Sequence, residues 1–155
     1  MTDDKQKNLI DIFILHKHWI IADSVNYHLR RSLNSAVEPE EGLPKELSDI
    51  GQQMSGFYTL SVWYSLLYVV VEGFRELKLS DPKIDELLSQ EEYTETLRRF
   101  RNATFHFQTD PLSDKLMDFL TAEKSEHWIR DLNRAFKKYF EKSLPLEEMV
   151  NAMKA

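Results

Sequence analysis

Between Gln52 and Leu79, six apolar residues recur at steps of three and four: Phe57, Leu60, Tyr64, Leu67, Val71 and Phe74. Those spacings share a face only on an α-helix, which takes 3.6 residues per turn, whereas a strand alternates with a period of two. The run Val69-Val70-Val71 alone favours a strand. The longer period outweighs it, and the spacing predicts a helix over 52–79. Ser61, Ser65, Tyr68, Glu72 and Glu76 recur at the same steps and form a polar line beside the apolar one. A helix with so long an apolar stripe must bury it, so the rest of the chain has to supply helices to pack on it.

It supplies several. Residues from about Lys7 to Leu33 read as one long helix, apolar on nearly all sides over Leu9–Leu15. Such a segment is either central or covered by a partner. Pro39, Gly42 and Pro44 mark Asn34–Pro44 as a loop. Asp81-Pro82 is an N-cap acid before a proline, predicting a short helix through Leu88. Ser89-Gln90-Glu91-Glu92 has the form of a capping box, opening a helix with Tyr93, Leu97 and Phe100 inward. Asp110-Pro111 repeats the proline start for a short helix to about Leu120. A last helix runs from about Glu123 to Lys142, with Trp128, Leu132, Ala135, Phe136 and Tyr139 on its apolar face and Pro145 ending the pattern. The sum is an all-α fold, an up-and-down helical bundle of about four main helices with short connecting helices. One domain is expected over 1–155, with its core at about 7–142.

Composition agrees. Four glycines and five prolines are too few for an all-β chain with many tight turns. A chain of 155 residues can bury a core without staples. Cysteine is absent, which excludes disulfides, thiolate nucleophiles and zinc–thiolate sites. The polar start Met1-Thr2-Asp3-Asp4-Lys5 lacks the form of a signal peptide. The apolar run Leu66–Val71 is too short to span a bilayer. The expectation is a cytoplasmic protein with no membrane association. A net charge of −6 argues against broad, non-specific nucleic-acid binding.

Several chemistries drop out. No two of His16, His18, His28, His106 and His127 are four apart, so no helical histidine pair for a metal exists. Glu-x-x-His is missing as well, and neither a phosphate-binding glycine loop nor a G-x-S-x-G elbow occurs. No metal and no cofactor is expected.

What remains is Arg101-Asn102-Ala103-Thr104-Phe105-His106, preceded by Arg98 and Arg99. Asn102 and His106 are four apart and would share a helix face. Phe100, Phe105 and Phe107 bracket the polar residues and could anchor them in the core. The trio suits a phosphodiester. Arginine offers a planar fork of donors with a fixed charge, histidine exchanges a proton near neutral pH, and asparagine orients the imidazole or donates to phosphate. The plainer reading is a solvated arginine face and a packed histidine.

The hexapeptide resembles the R-x4-6-H motif of the HEPN superfamily of helical-bundle domains, in which a polar residue usually follows the arginine, as Asn102 does. The resemblance extends to the helix carrying Tyr68-Val69-Val70-Val71-Glu72-Gly73-Phe74, where Glu72 matches a common acidic position, and the helical layout covers roughly Lys7 to Lys142. It implies a metal-independent endoribonuclease of toxin–antitoxin or defence systems, working as a homodimer with facing motifs on an RNA substrate, with an antitoxin protein as a further partner. Arg101 would stabilise the phosphorane and His106 would act as general acid or base, with Asn102 and Glu72 positioning them. It equally implies an alternative, a non-catalytic HEPN-like dimerisation or binding module in which the same residues form a structural network. Under either reading a polar line facing α-helical neighbours, rather than water, would place Glu72 near Arg101.

Overall fold

The first helix, α1 (Asp3–Leu33), buries one narrow stripe, Ile12, Leu15, Trp19, Ala22, Asn26 and Leu29, at alternating steps of three and four. A seam of that spacing suits a long neighbour lying along it. The computed structural model, which describes residues 3–35, 41–147 and 150–151, places α2 (Lys45–Glu76) there. Gly73 brings the two helices close, since a Cβ at that position would stand 2.7 Å from Cδ1 of Leu15. Leu9, Ile10, Phe13 and Ile14 stay exposed, so the all-round apolar segment of α1 is only half covered within one protomer.

The helix containing the valine run is confirmed, with Val70 and Val71 fully buried. Its ends differ from expectation. It begins at Lys45 rather than Gln52, with Pro44 at the N-cap accepting from the backbone N–H of Leu47 and Ser48. Pro44 ends the loop as expected, and the helix follows it directly. Pro39 lies outside the described residues. At the other end Lys78 turns left-handed (φ 53°), Leu79 N–H donates to Phe74 O and Lys78 N–H to Arg75 O. This is a Schellman closure, so the helix ends before Leu79.

Four short-to-medium helices complete the fold: α3 (Pro82–Leu88), α4 (Glu91–Phe105), α5 (Asp114–Thr121) and α6 (Ser125–Ser143). Asp81 caps α3 as expected, accepting from the N–H of Lys83 and Ile84. The capping box at Ser89 does not form. The link is so short that Ser89 serves as the C-cap of α3, its hydroxyl donating to Glu86 O, and α4 starts at Gln90 without a side-chain cap. Asp110-Pro111 does not start α5 either. Asp110 Oδ1 accepts from Leu112 N–H in a local turn, and the helix begins behind Ser113. Among the described residues there is no strand.

The helices are all α and form a bundle in which α4 packs on α2, α5 on α4, and α6 on α5, α3 and α1. Tyr64, Phe100 and Phe119 bring α2, α4 and α5 together, with ring centroids 5.6–5.9 Å apart. All five residues expected on the apolar face of α6 are buried. Two indole N–H groups are satisfied inside: Trp19 Nε1 donates to Asn133 Oδ1 and Trp128 Nε1 to the Leu87 carbonyl, each at 3.0 Å. By length and composition α2 is apolar enough to cross a membrane, with mean hydropathy 1.4 over an 18-residue window. The run Leu66–Val71 therefore understates its apolar length, and 44% of that window is buried in the bundle.

Candidate functional site

The polar line on α2 faces α4 over most of its length. Ser61, Ser65 and Tyr68 are buried, Glu72 is half-buried at the rim, and only Glu76 is fully in solvent. Glu72 Oε2 meets Nη2 of Arg101 at 2.7 Å, as expected for a carboxylate on this line. Nη1 of the same guanidinium donates to Asn102 Oδ1 at 2.9 Å, and its central carbon sits 6.0 Å from the centroid of the Tyr68 ring. Burial, reinforced by the Glu72 charge, pushes the Tyr68 phenol up, so it stays a neutral hydroxyl at neutral pH. The Arg101 and Glu72 side chains are 26% and 40% exposed, so the pair is partly solvated and contributes about 1 kcal/mol or less.

The arginine cluster is not a free basic patch. Arg98 makes a bidentate pair with Glu95, Arg99 meets Asp118 of α5 at 2.6 Å, and Arg101 meets Glu72. Each cation has its own carboxylate, which suits an acidic protein. Arg101 is the least exposed of the three.

His106 departs from the helical expectation. α4 stops at Phe105, and His106 is its C-cap in an extended conformation (φ −107°, ψ 141°). Its tie to Asn102 is the backbone bond from His106 N–H to Asn102 O, not a shared helix face. The side chain is exposed, and none of the described hydrogen bonds involves the imidazole. Phe100 is fully buried, but Phe105 is half exposed and Phe107 is 93% exposed, so only the first of the three anchors the segment. Phe105 lies five residues from Phe100, off its helix face, and Phe107 lies past the helix end.

His106 lines a groove of about 370 Å³ between the middle of α2 and the turn after α4. Phe57, Tyr58, Ser61, Thr104 and Phe107 line it too, and Glu72, Arg101 and Asn102 do not. Within one protomer the four candidate residues thus form two places: a fixed guanidinium held by Glu72 and Asn102, and an exposed imidazole beside an apolar groove. The groove walls Tyr58 and Thr104 carried no signal in the sequence, because their meeting at one groove depends on how α2 crosses α4. Among the described residues no group of three His, Asp or Glu side chains is placed to hold a metal ion. Neither family models nor curated proteins nor solved structures give a match to this chain.

Proposed function

We propose that the chain is a HEPN-like, metal-independent endoribonuclease that works as a homodimer. The observation that carries this reading is the Glu72–Arg101–Asn102 arrangement, with an unbonded His106 exposed just past the same helix. A guanidinium has five N–H donors. Two of them are engaged inside the protomer, which holds the fork in place and leaves three for phosphate oxygens. Fixing a cation before the charge develops is what makes it useful in a transition state.

Cleavage of RNA at its own 2′-hydroxyl needs a base, an acid and a cation. One His106 takes the 2′ proton as that oxygen bonds to phosphorus. The bond from phosphorus to the 5′ oxygen breaks, and the leaving oxygen takes a proton from the partner subunit's His106. The products are a 2′,3′-cyclic phosphate and a 5′-hydroxyl, and Arg101 neutralises the phosphorane between. One protomer has one such histidine, so a twofold axis near the motif is part of the proposal. The exposed apolar residues of α1 are the natural seam for the dimer, because large apolar patches on a monomer are rare.

A second reading, a non-catalytic dimerisation or binding module, is favoured by one observation: both Nη groups of Arg101 are already bonded within the protomer. One experiment separates the two. Purified wild-type protein is incubated with diverse RNAs and a chelator, beside His106→Ala. The enzyme cleaves RNA and spares DNA, and the variant stays a folded dimer with activity down by about 10²–10⁴-fold. Wild-type protein that leaves every RNA intact supports the binding module.

A further inference from the structure

The face of the bundle where α1, α2 and α6 meet holds a cavity of about 300 Å³ that shares no lining residue with the arginine–histidine region. Its walls carry Arg30 from α1, Trp63 from α2, and Arg130, Arg134 and Lys137 from α6. The α6 cations are spaced four and three apart, which puts them on one side of that helix. In a protein of net charge −6, four cations face one carboxylate here, Asp23. That carboxylate accepts from Nδ2 of Asn133 at 3.4 Å.

We propose that this cavity binds a small phosphate-bearing polyanion. Arg30 is bonded to the side-chain oxygen of Asn26 and to no carboxylate among the described residues. Among the described residues, Arg130, Arg134 and Lys137 have carboxylate partners only along their own helix, Glu126, Asp131 and Glu141, and all three pairs are largely solvent-exposed. Exposed pairs of this kind are weak, and a multiply charged anion competes with them readily. Guanidinium forks match phosphate oxygens in geometry as well as charge.

One wall of the cavity is a buried indole. Trp63 is 4% exposed, and its indole N–H has no hydrogen-bond partner. A buried donor without an acceptor is costly, and the other two indoles of the chain are both satisfied. Trp63 Nε1 is closed to solvent, so Trp63 serves the cavity as an aromatic wall and not as a donor. An adjoining cavity of about 710 Å³ shares Arg30, Trp63, Arg130 and Arg134, so the site has room for more than a single phosphate. A small ligand fits better than a nucleic-acid strand. The cations stand around a bounded cavity, with Asp23 on its wall and Glu126 on that of its neighbour, and not along an open groove that would follow a strand.

The test is calorimetric titration of the full-length protein with inorganic pyrophosphate at low and moderate salt, with sulfate at matched ionic strength as the comparison. Pyrophosphate is expected to bind saturably and more tightly than sulfate. Arg130→Gln and Arg134→Gln should each weaken it by about tenfold while leaving the thermal midpoint of the free protein nearly unchanged. Trp63→Phe keeps the aromatic wall and should bind pyrophosphate nearly as wild type does. Lys83→Gln, on α3 and outside the cavity, should bind as wild type does. The proposal is overturned by no binding at millimolar pyrophosphate, by binding that sulfate reproduces, or by binding that survives both arginine substitutions. It is also overturned if a single-stranded oligoribonucleotide displaces pyrophosphate and itself binds more tightly in an arginine-dependent manner, which would make the cavity part of a nucleic-acid surface.

Discussion

Glu72 Oε2 lies 2.7 Å from Nη2 of Arg101, joining α2 to α4 across 29 residues of sequence. The pair stands at the rim of the core, where the polar line of α2 comes up from among buried residues. Its position tells what it does for the protein. Being partly solvated, it contributes little to stability and much to where the Arg101 fork points.

Glu72→Gln is therefore expected to cost about 1 kcal/mol or less in thermal unfolding. Under the proposed ribonuclease reading, RNA cleavage should fall much further than stability does. Arg101→Lys should behave the same way, since lysine keeps the charge and loses the planar fork that reaches Glu72 and Asn102 together. Calorimetry beside a cleavage assay checks both. A loss of several kcal/mol in either variant would mark the pair as structural.

In the proposed homodimer the exposed face of α1 is the seam between protomers. Ile10 is 52% exposed and Phe13 49%, one turn apart on the side away from the buried stripe. Ile10→Asp with Phe13→Asp puts two charges on that seam without touching Ile12 or Leu15. Sedimentation at micromolar concentration should show wild-type dimer and variant monomer, with unchanged helical circular dichroism.

Phe136 is fully buried and meets Phe74 edge to face, with centroids 5.7 Å apart. Phe136→Ala should destabilise the bundle by about 3–5 kcal/mol, through lost transfer energy and the cavity left behind. Chemical denaturation gives the value directly.

Lys78 closes α2 in the left-handed region at φ 53°. A side chain there costs about 1–2 kcal/mol in strain that glycine avoids, offset in part by the greater freedom of an unfolded glycine. Lys78→Gly should raise the thermal midpoint modestly and leave the Schellman bonds in place.

Burial against Trp19 and Phe140 holds His16 below its usual pKa of 6.5. The unfolded chain then binds this proton first as pH falls. The stability due to neutral His16 is present above 6.5 and is lost as pH drops from there through the lower folded value. His16→Gln should flatten this part of the stability profile, measured by thermal unfolding between neutral and mildly acidic pH.

Much of this was legible in the residues themselves. The three-and-four spacing over Phe57–Phe74 identified α2 against its own valine run, and all five residues expected on the apolar face of α6 are buried, though Ile129 and Phe140 belong to that face as well. Periodicity is a local property, and burial of a stripe follows from it whatever the neighbours are. Asp81 capped its helix because a cap is settled within one turn. Ser89 and Asp110 failed as helix starts because each had a nearer use, one closing α3 and the other making a turn. Spacing alone does not rank such competitors.

What only the tertiary structure decided is which side chains meet. The ion pair between Glu72 and Arg101 depends on the register of α2 against α4. The separation of His106 from the guanidinium depends on α4 ending at Phe105. The cationic cavity was the least legible of all. Its four cations come from α1 and α6, roughly a hundred residues apart in the chain, in a sequence whose overall charge is negative. Charge adds up along a chain without regard to place, whereas an electrostatic field depends on distance. Folding is what concentrates those cations around Trp63.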